Sequence, residues 1–84
     1  MSTARRLSIY HRPGCHLCDE MLEAVERLCR GHGVIVDMVD VDTDPALKAQ
    51  YGYDIPVLAA DGLEICRHRL NSDQLREWLL RVEN

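Results

Sequence analysis

The chain has 84 residues, enough for one compact domain over residues 1–84 and too few for two. Hydrophobic residues make up 46% and charged residues 29% of it, the balance of a globular protein rather than a disordered one. The net charge of −4 argues against attraction to nucleic-acid phosphates or to an anionic membrane surface, so neither is expected as a partner.

Apolar runs are only a few residues long, and the start, Met1 to Arg6, lacks the apolar block of a signal peptide. A cytoplasmic protein is therefore expected. Stable disulfides are rare in that reducing compartment, so Cys15, Cys18, Cys29 and Cys66 need a purpose other than stapling. There is no Phe, which leaves the core to Leu, Val, Ile, Met and cysteine.

In chain order, Leu7-Ser8-Ile9-Tyr10 alternates as a strand does and is closed by the turn pair Pro13-Gly14. Cys18, Met21, Leu22, Val25, Leu28 and Cys29 then recur at steps of three or four, predicting a helix from about His16 to Arg30 that ends at Gly31 and Gly33. Val34 to Val41 is rich in β-branched residues and reads as a second strand. Asp44-Pro45 supplies an N-cap and a first helical residue for a short helix ending at Tyr51-Gly52.

Val57–Ala60 and Leu63–Arg67 flank Asp61-Gly62, a strong hairpin signal. A closing amphipathic helix begins at Asn71, with Gln74 in a capping-box-like position and Leu75, Trp78, Leu79 and Val82 on one face. The predicted order is β-α-β-α-β-β-α, an α/β fold. Its first two strands are parallel across a right-handed crossover and its last two form a hairpin in a four-stranded mixed sheet.

The chemistry lies in Cys15-His16-Leu17-Cys18. C-x-x-C spacing alone is weakly specific, but here it follows a strand and a turn and opens the helix of a βαβ unit, where it reads as a redox pair. Unpaired amide N–H groups and the positive end of the helix dipole favour a thiolate on Cys15. The spacing sets Cys18 on the same face one turn later, within disulfide reach, as the more buried resolving thiol. Arg12 and protonated His16 would add positive charge beside the thiolate; solvated surface positions are the plainer reading of both.

Ile55-Pro56 precedes an apolar strand. Proline donates no ladder hydrogen bond and so belongs at a strand start, while its peptide isomer stays open at this point.

Two metal-like patterns lack the geometry or residues that a metal needs. Cys15, Cys18, Cys29 and His32 have the residue types of a zinc site, but eleven helical steps separate Cys18 from Cys29, roughly 16 Å. No metal site is therefore expected, and Cys29 and Cys66 read as small apolar core residues. The run Asp40 to Asp44 begins like a calcium loop, yet Pro45 and Tyr51 stand where glycine and glutamate are required.

Arg12-Pro13-Gly14-Cys15-His16-Leu17-Cys18, Tyr51-Gly52-Tyr53-Asp54-Ile55-Pro56-Val57 and the hairpin-plus-helix ending together resemble a small glutaredoxin-like protein of the thioredoxin superfamily, in its compact branch with a C-x-L-C motif. The resemblance covers nearly the whole chain. It implies thiol–disulfide oxidoreductase activity in cell redox homeostasis, with Cys15 as nucleophile and Cys18 as resolving thiol, acting on protein or small-molecule disulfides as a monomer. It also implies a cis Pro56 facing the redox pair and an Ile55 backbone that pairs with a bound substrate or glutathione. Arg12 would meet a glutathione carboxylate, and Ser72 and Asp73 would hold its γ-glutamyl end.

No bound cofactor is implied; glutathione would enter as a co-substrate. The chain departs from typical members in having His16-Leu17 in place of Pro-Tyr, and His68-Arg69-Leu70-Asn71 where a Gly-Gly pair precedes the last helix. The alternatives are a non-enzymatic binding module on the same fold and a glutathione-assisted iron–sulfur cluster carrier.

Overall fold

The structure, a computed structural model, describes residues 5–82, without the side chain of Val82. The expected element order is present: β1 (Arg5–His11), α1 (His16–Cys29), β2 (Val34–Asp40), α2 (Pro45–Tyr51), β3 (Val57–Ala60), β4 (Leu63–Arg67) and α3 (Ser72–Val82). Residues Met1 to Ala4, part of the start that lacks a signal-peptide apolar block, lie outside the described residues, as does the Val82 side chain assigned to the apolar face of α3.

One boundary is corrected. Val41, expected to continue the second strand, instead opens a 3-10 turn over Val41–Thr43. The Asp40 side chain accepts the Asp42 N–H at 2.9 Å, and its carbonyl accepts the Thr43 hydroxyl at 2.7 Å. Local bonds of this kind draw Asp and Thr segments out of a strand ladder.

The sheet order is β2-β1-β3-β4, with β1 parallel to β2 and the remaining neighbours antiparallel. Both residues of the β3–β4 turn have positive φ, 52° at Asp61 and 79° at Gly62, as a two-residue hairpin turn with the twist of its strands requires. β4 carries one extra residue opposite the step from Leu58 to Ala59, a bulge that bends this edge strand.

Alternation in β1 divides the core between the two faces of the sheet. Leu7 and Ile9 point to the face covered by α1 and α3, where they pack with Met21, Val25, Leu58 and Leu75. Tyr10 points to the opposite face, against Val41, Tyr51 and Val57, and its ring stacks on that of Tyr51 with centroids 4.3 Å apart. β3 is buried at all four positions because both of its faces are covered.

Cys29 and Cys66 are free thiols in the larger cluster, where burial pushes both above the ordinary thiol pKa. They supply apolar volume, in keeping with the sequence reading.

The helix ends follow their signals. Asp44 accepts the Ala46 N–H at 2.9 Å ahead of Pro45, and Asn71 accepts the Gln74 N–H at 3.1 Å to open α3. At the far end of α3, Arg5 lays its guanidinium 4.2 Å from the centre of the Trp78 ring and donates to the carbonyls of Leu79 and Trp78. A cation at that pole complements the helix dipole and joins β1 to the last turn.

Each fully buried aliphatic side chain contributes about 1.5–3 kcal/mol. Leu75→Ala is expected to lower unfolding free energy by about 2–5 kcal/mol in denaturant titration. Leu80→Ala, on the exposed face of the same helix, should change it by no more than about 0.5 kcal/mol.

Candidate active site

β1 leaves the centre of the sheet at His11, and the chain turns through Arg12-Pro13-Gly14 into α1. Gly14 has φ +79°, a conformation that residues with a side chain rarely adopt. The turn is closed by the Cys15 N–H, which donates to the Arg12 carbonyl at 3.2 Å.

Cys15 is the N-cap of α1: its sulfur accepts the Cys18 N–H at 3.2 Å, and its carbonyl accepts the Asp19 N–H at 3.2 Å. Cys15 and Cys18 form a disulfide with Cα atoms 5.2 Å apart, within the usual range for such a bond. Exposure is unequal across the pair. Cys15 is half-buried, whereas Cys18 is fully buried and starts the apolar stripe of α1.

The two residues between them are exposed. His16 reaches solvent with its Nε2 4.0 Å from Glu20. Leu17, 42% exposed, lines a cleft of about 340 Å³ with Met21, Ala24, His68, Arg69 and Leu70.

The Ile55–Pro56 peptide is cis. The Pro56 carbonyl accepts the His68 N–H at 2.7 Å, extending the β3–β4 ladder by one bond. Because His68 also lines the Leu17 cleft, the proline segment and the cysteine segment are linked through this residue. His68 has φ +68°, an uncommon conformation for a residue with a side chain.

Asp54 ties the same region together: its carboxylate lies 2.9 Å from Arg67 Nη1 and 3.4 Å from His68 Nε2. Arg67 also forks onto Glu64, donating to both of its carboxylate oxygens. These contacts raise the Arg67 pKa further and lower that of Glu64.

Arg12 stands on the other side of the cysteine segment. It donates from Nε to Asp42 Oδ2 at 2.8 Å and from Nη2 to Asp42 Oδ1 at 3.1 Å, a bidentate fork. The hydrogen-bonded fork raises the Arg12 pKa and lowers that of Asp42. Arg12 also borders a second cleft of about 340 Å³ with Pro45, Lys48, Ala49, Gly52 and Tyr53, and Tyr53 is 98% exposed.

Ser72 and Asp73 begin α3, directly after the Leu70-Asn71 step that follows the Leu17 cleft. Asp73 lies 3.6 Å from Arg76. Among the described residues, no hydrogen bond or ion pair joins Ser72 or Asp73 to the cysteine segment. Local sequence patterns assign no role to Asp42, Tyr53, Asp54 or the pairing of Arg67. The signal for Asp42 was the parallel register, which sets His11 opposite Asp40 and so brings Arg12 to the 3-10 turn.

Comparison with known proteins is consistent with this geometry. Residues 6–80 match the model of the glutaredoxin-like domain (DUF836). The chain belongs to that glutaredoxin-like family.

An uncharacterized protein of Mycobacterium tuberculosis, Rv0508, is 30% identical over 81 aligned residues, covering 84% of each chain. Among solved structures, protein Ne2328 from Nitrosomonas europaea superposes with a TM-score of 0.82 at 30% identity, over 93% of this chain and 94% of that one. The thioredoxin of Fasciola hepatica gives a TM-score of 0.58 at 28% identity, over 94% and 82%. The fold is thioredoxin-like, and the glutaredoxin-like domain carries its cysteine pair at disulfide distance. No helix among the described residues is long and apolar enough to cross a membrane.

The Arg12–Asp42 pair has a defined pH signature. A depressed carboxylate pKa means that its contribution is fully present above the ordinary aspartate range and is lost as pH falls through the lowered value. In a carbon-detected NMR titration, the Asp42 carboxylate should have its midpoint below the ordinary aspartate value, and Arg12→Gln should move that midpoint upward.

Proposed function

We propose that this protein is a thiol–disulfide oxidoreductase acting on protein or small-molecule disulfides, with Cys15 as nucleophile and Cys18 as resolving thiol. The observation that carries the proposal is the asymmetry of the disulfide at the start of α1. Half-buried Cys15 occupies the N-cap, while Cys18 is fully buried.

In the reduced protein, the first-turn N–H groups and the helix dipole favour a thiolate at Cys15. Cysteines in such positions titrate at about 3.5–7.5, against about 8.5 for a free thiol.

The Cys15 thiolate attacks one sulfur of a substrate disulfide, forming a mixed disulfide and expelling the other half as a thiolate. Cys18 then gives up its proton and attacks the Cys15 sulfur. The substrate's second half leaves as a thiol, and the Cys15–Cys18 disulfide forms. Two electrons pass from the protein dithiol to the substrate, and an external thiol must return them.

The Ile55 backbone and Pro56 would present an extended substrate segment to Cys15 across the cleft that Leu17 and His68 border. The expected setting is cytoplasmic redox homeostasis. Two sources of reducing equivalents suit the chemistry: glutathione, with Arg12, Ser72 and Asp73 as its expected contacts, or a thioredoxin-reductase-type system.

Turnover of a small disulfide with each reductant separates the two sources. Cys15→Ser should abolish disulfide reduction, whereas Cys18→Ser should accumulate mixed disulfides with protein substrates, visible as mass adducts on Cys15. The alkylation rate of reduced Cys15 against pH should have its midpoint below about 8.5. Full activity in the Cys15→Ser protein would overturn the assignment.

A further inference from the structure

We propose that Asp42 is a specificity determinant that holds Arg12 away from anionic disulfides, biasing the site toward neutral ones. The inference rests on the oxidoreductase reading and names the substrate class that reading leaves open.

Arg12 is bound to the nucleophile's own turn, its carbonyl accepting the Cys15 N–H. Arg12 stands three residues before Cys15, so its guanidinium is a positive charge open to a negatively charged disulfide that approaches along this turn. The cleft that Arg12 borders also has Lys48 and the exposed Tyr53 in its lining.

That guanidinium is already occupied. Asp42 takes Nε and Nη2 together at 2.8 and 3.1 Å, the fork that a substrate carboxylate would otherwise use. Asp42 is held for this contact by its own backbone, because its N–H donates to Asp40 at 2.9 Å within the 3-10 turn.

The pair is partly open to water, with side-chain exposures of 37% and 39%. Ion pairs of that kind add little to stability. A competing anion can displace Asp42, but it must overcome a carboxylate that is always present at short range.

The strength typical of such pairs corresponds to a discrimination of about two- to fivefold. Substrates lacking negative charge lose nothing to the fork. They can lie along the cleft on the other side of the cysteine segment, where Leu17, Met21 and Leu70 stand with Glu20, His68 and Arg69.

The test uses the full chain, reduced and then mixed in single turnover with glutathione disulfide, which is anionic, or with 2-hydroxyethyl disulfide, which is neutral. Reaction is stopped by alkylation, and protein thiols are counted by mass. The readout is the ratio of the anionic to the neutral rate.

Asp42→Asn should raise this ratio about two- to fivefold, with a steeper loss of the gain at high salt. The double variant Arg12→Gln/Asp42→Asn should return the ratio to the native value or below it. A ratio unchanged by Asp42→Asn overturns the proposal. So does a gain that persists in the double variant, since it would then come from net charge and not from a freed Arg12. A native protein that reduces the neutral disulfide but fails this comparison loses only the role of Asp42. One that reduces neither disulfide loses the oxidoreductase reading and the proposal with it.

Discussion

The site depends on the burial of one helical stripe. Cys18, Met21, Val25 and Cys29 lie on the inner face of α1 and are buried together, with Leu7 and Ile9 of β1 in the same core as three of them. Because α1 follows β1 after a four-residue turn, fixing the helix on the sheet also fixes where its first turn ends. Cys15 therefore sits at the edge of the fold with its sulfur at the helix N-terminus, and Cys18 cannot avoid the core. The difference in exposure between them is a consequence of packing.

The second face of the sheet performs a parallel task for the loop that follows α2. Tyr51 is anchored by its stack on Tyr10 and by Val41 and Val57, so residues 52–56 leave a fixed point and enter β3 at another. Between these points the chain carries Tyr53 in solvent and Asp54 against Arg67 and His68. The proline thus starts its strand between β1 and β4, where its missing N–H breaks no ladder bond, and the β4 end is tied to it through the His68 N–H. Two independent hydrophobic clusters, one on each face, bring the cysteine turn and the proline turn to the same end of the sheet.

Most of this was readable from local patterns. The helix period from Cys18 to Cys29, the Asp44-Pro45 and Asn71 caps and the Asp61-Gly62 turn are signals within a few residues, and each appears where expected. Val41 shows where such reading fails. Its β-branched side chain fits a strand, but the side-chain bonds made by Asp40 and Thr43 close a 3-10 turn that hydropathy does not register. The ion pairs around the site were illegible for a different reason. Arg12 and Asp42 are 30 positions apart, and Asp54 and Arg67 are 13 apart, so their meeting depends on strand register and on the hairpin. Once β1 and β2 are paired in parallel from Arg5 opposite Val34 to His11 opposite Asp40, the next step sets Arg12 beside Val41, and the 3-10 turn over Val41–Thr43 brings Asp42 to its guanidinium.

Two of the arginines at the site are held in ion pairs, while Arg69 and Lys48 stand in the linings of the two clefts. Arg12 is matched by Asp42 and Arg67 by Glu64 and Asp54, so neither arginine next to the cysteine and proline turns presents an unshared charge. On the proposed mechanism, a thiolate at Cys15 would be stabilised by the backbone N–H groups of α1, which no substrate anion can displace. An arrangement of this kind separates two properties that one free arginine would couple, namely the acidity of the nucleophile and the affinity for negatively charged partners. The backbone can set the first while a side chain such as Asp42 adjusts the second, because the fork contacts the guanidinium and leaves the helix N-terminus untouched.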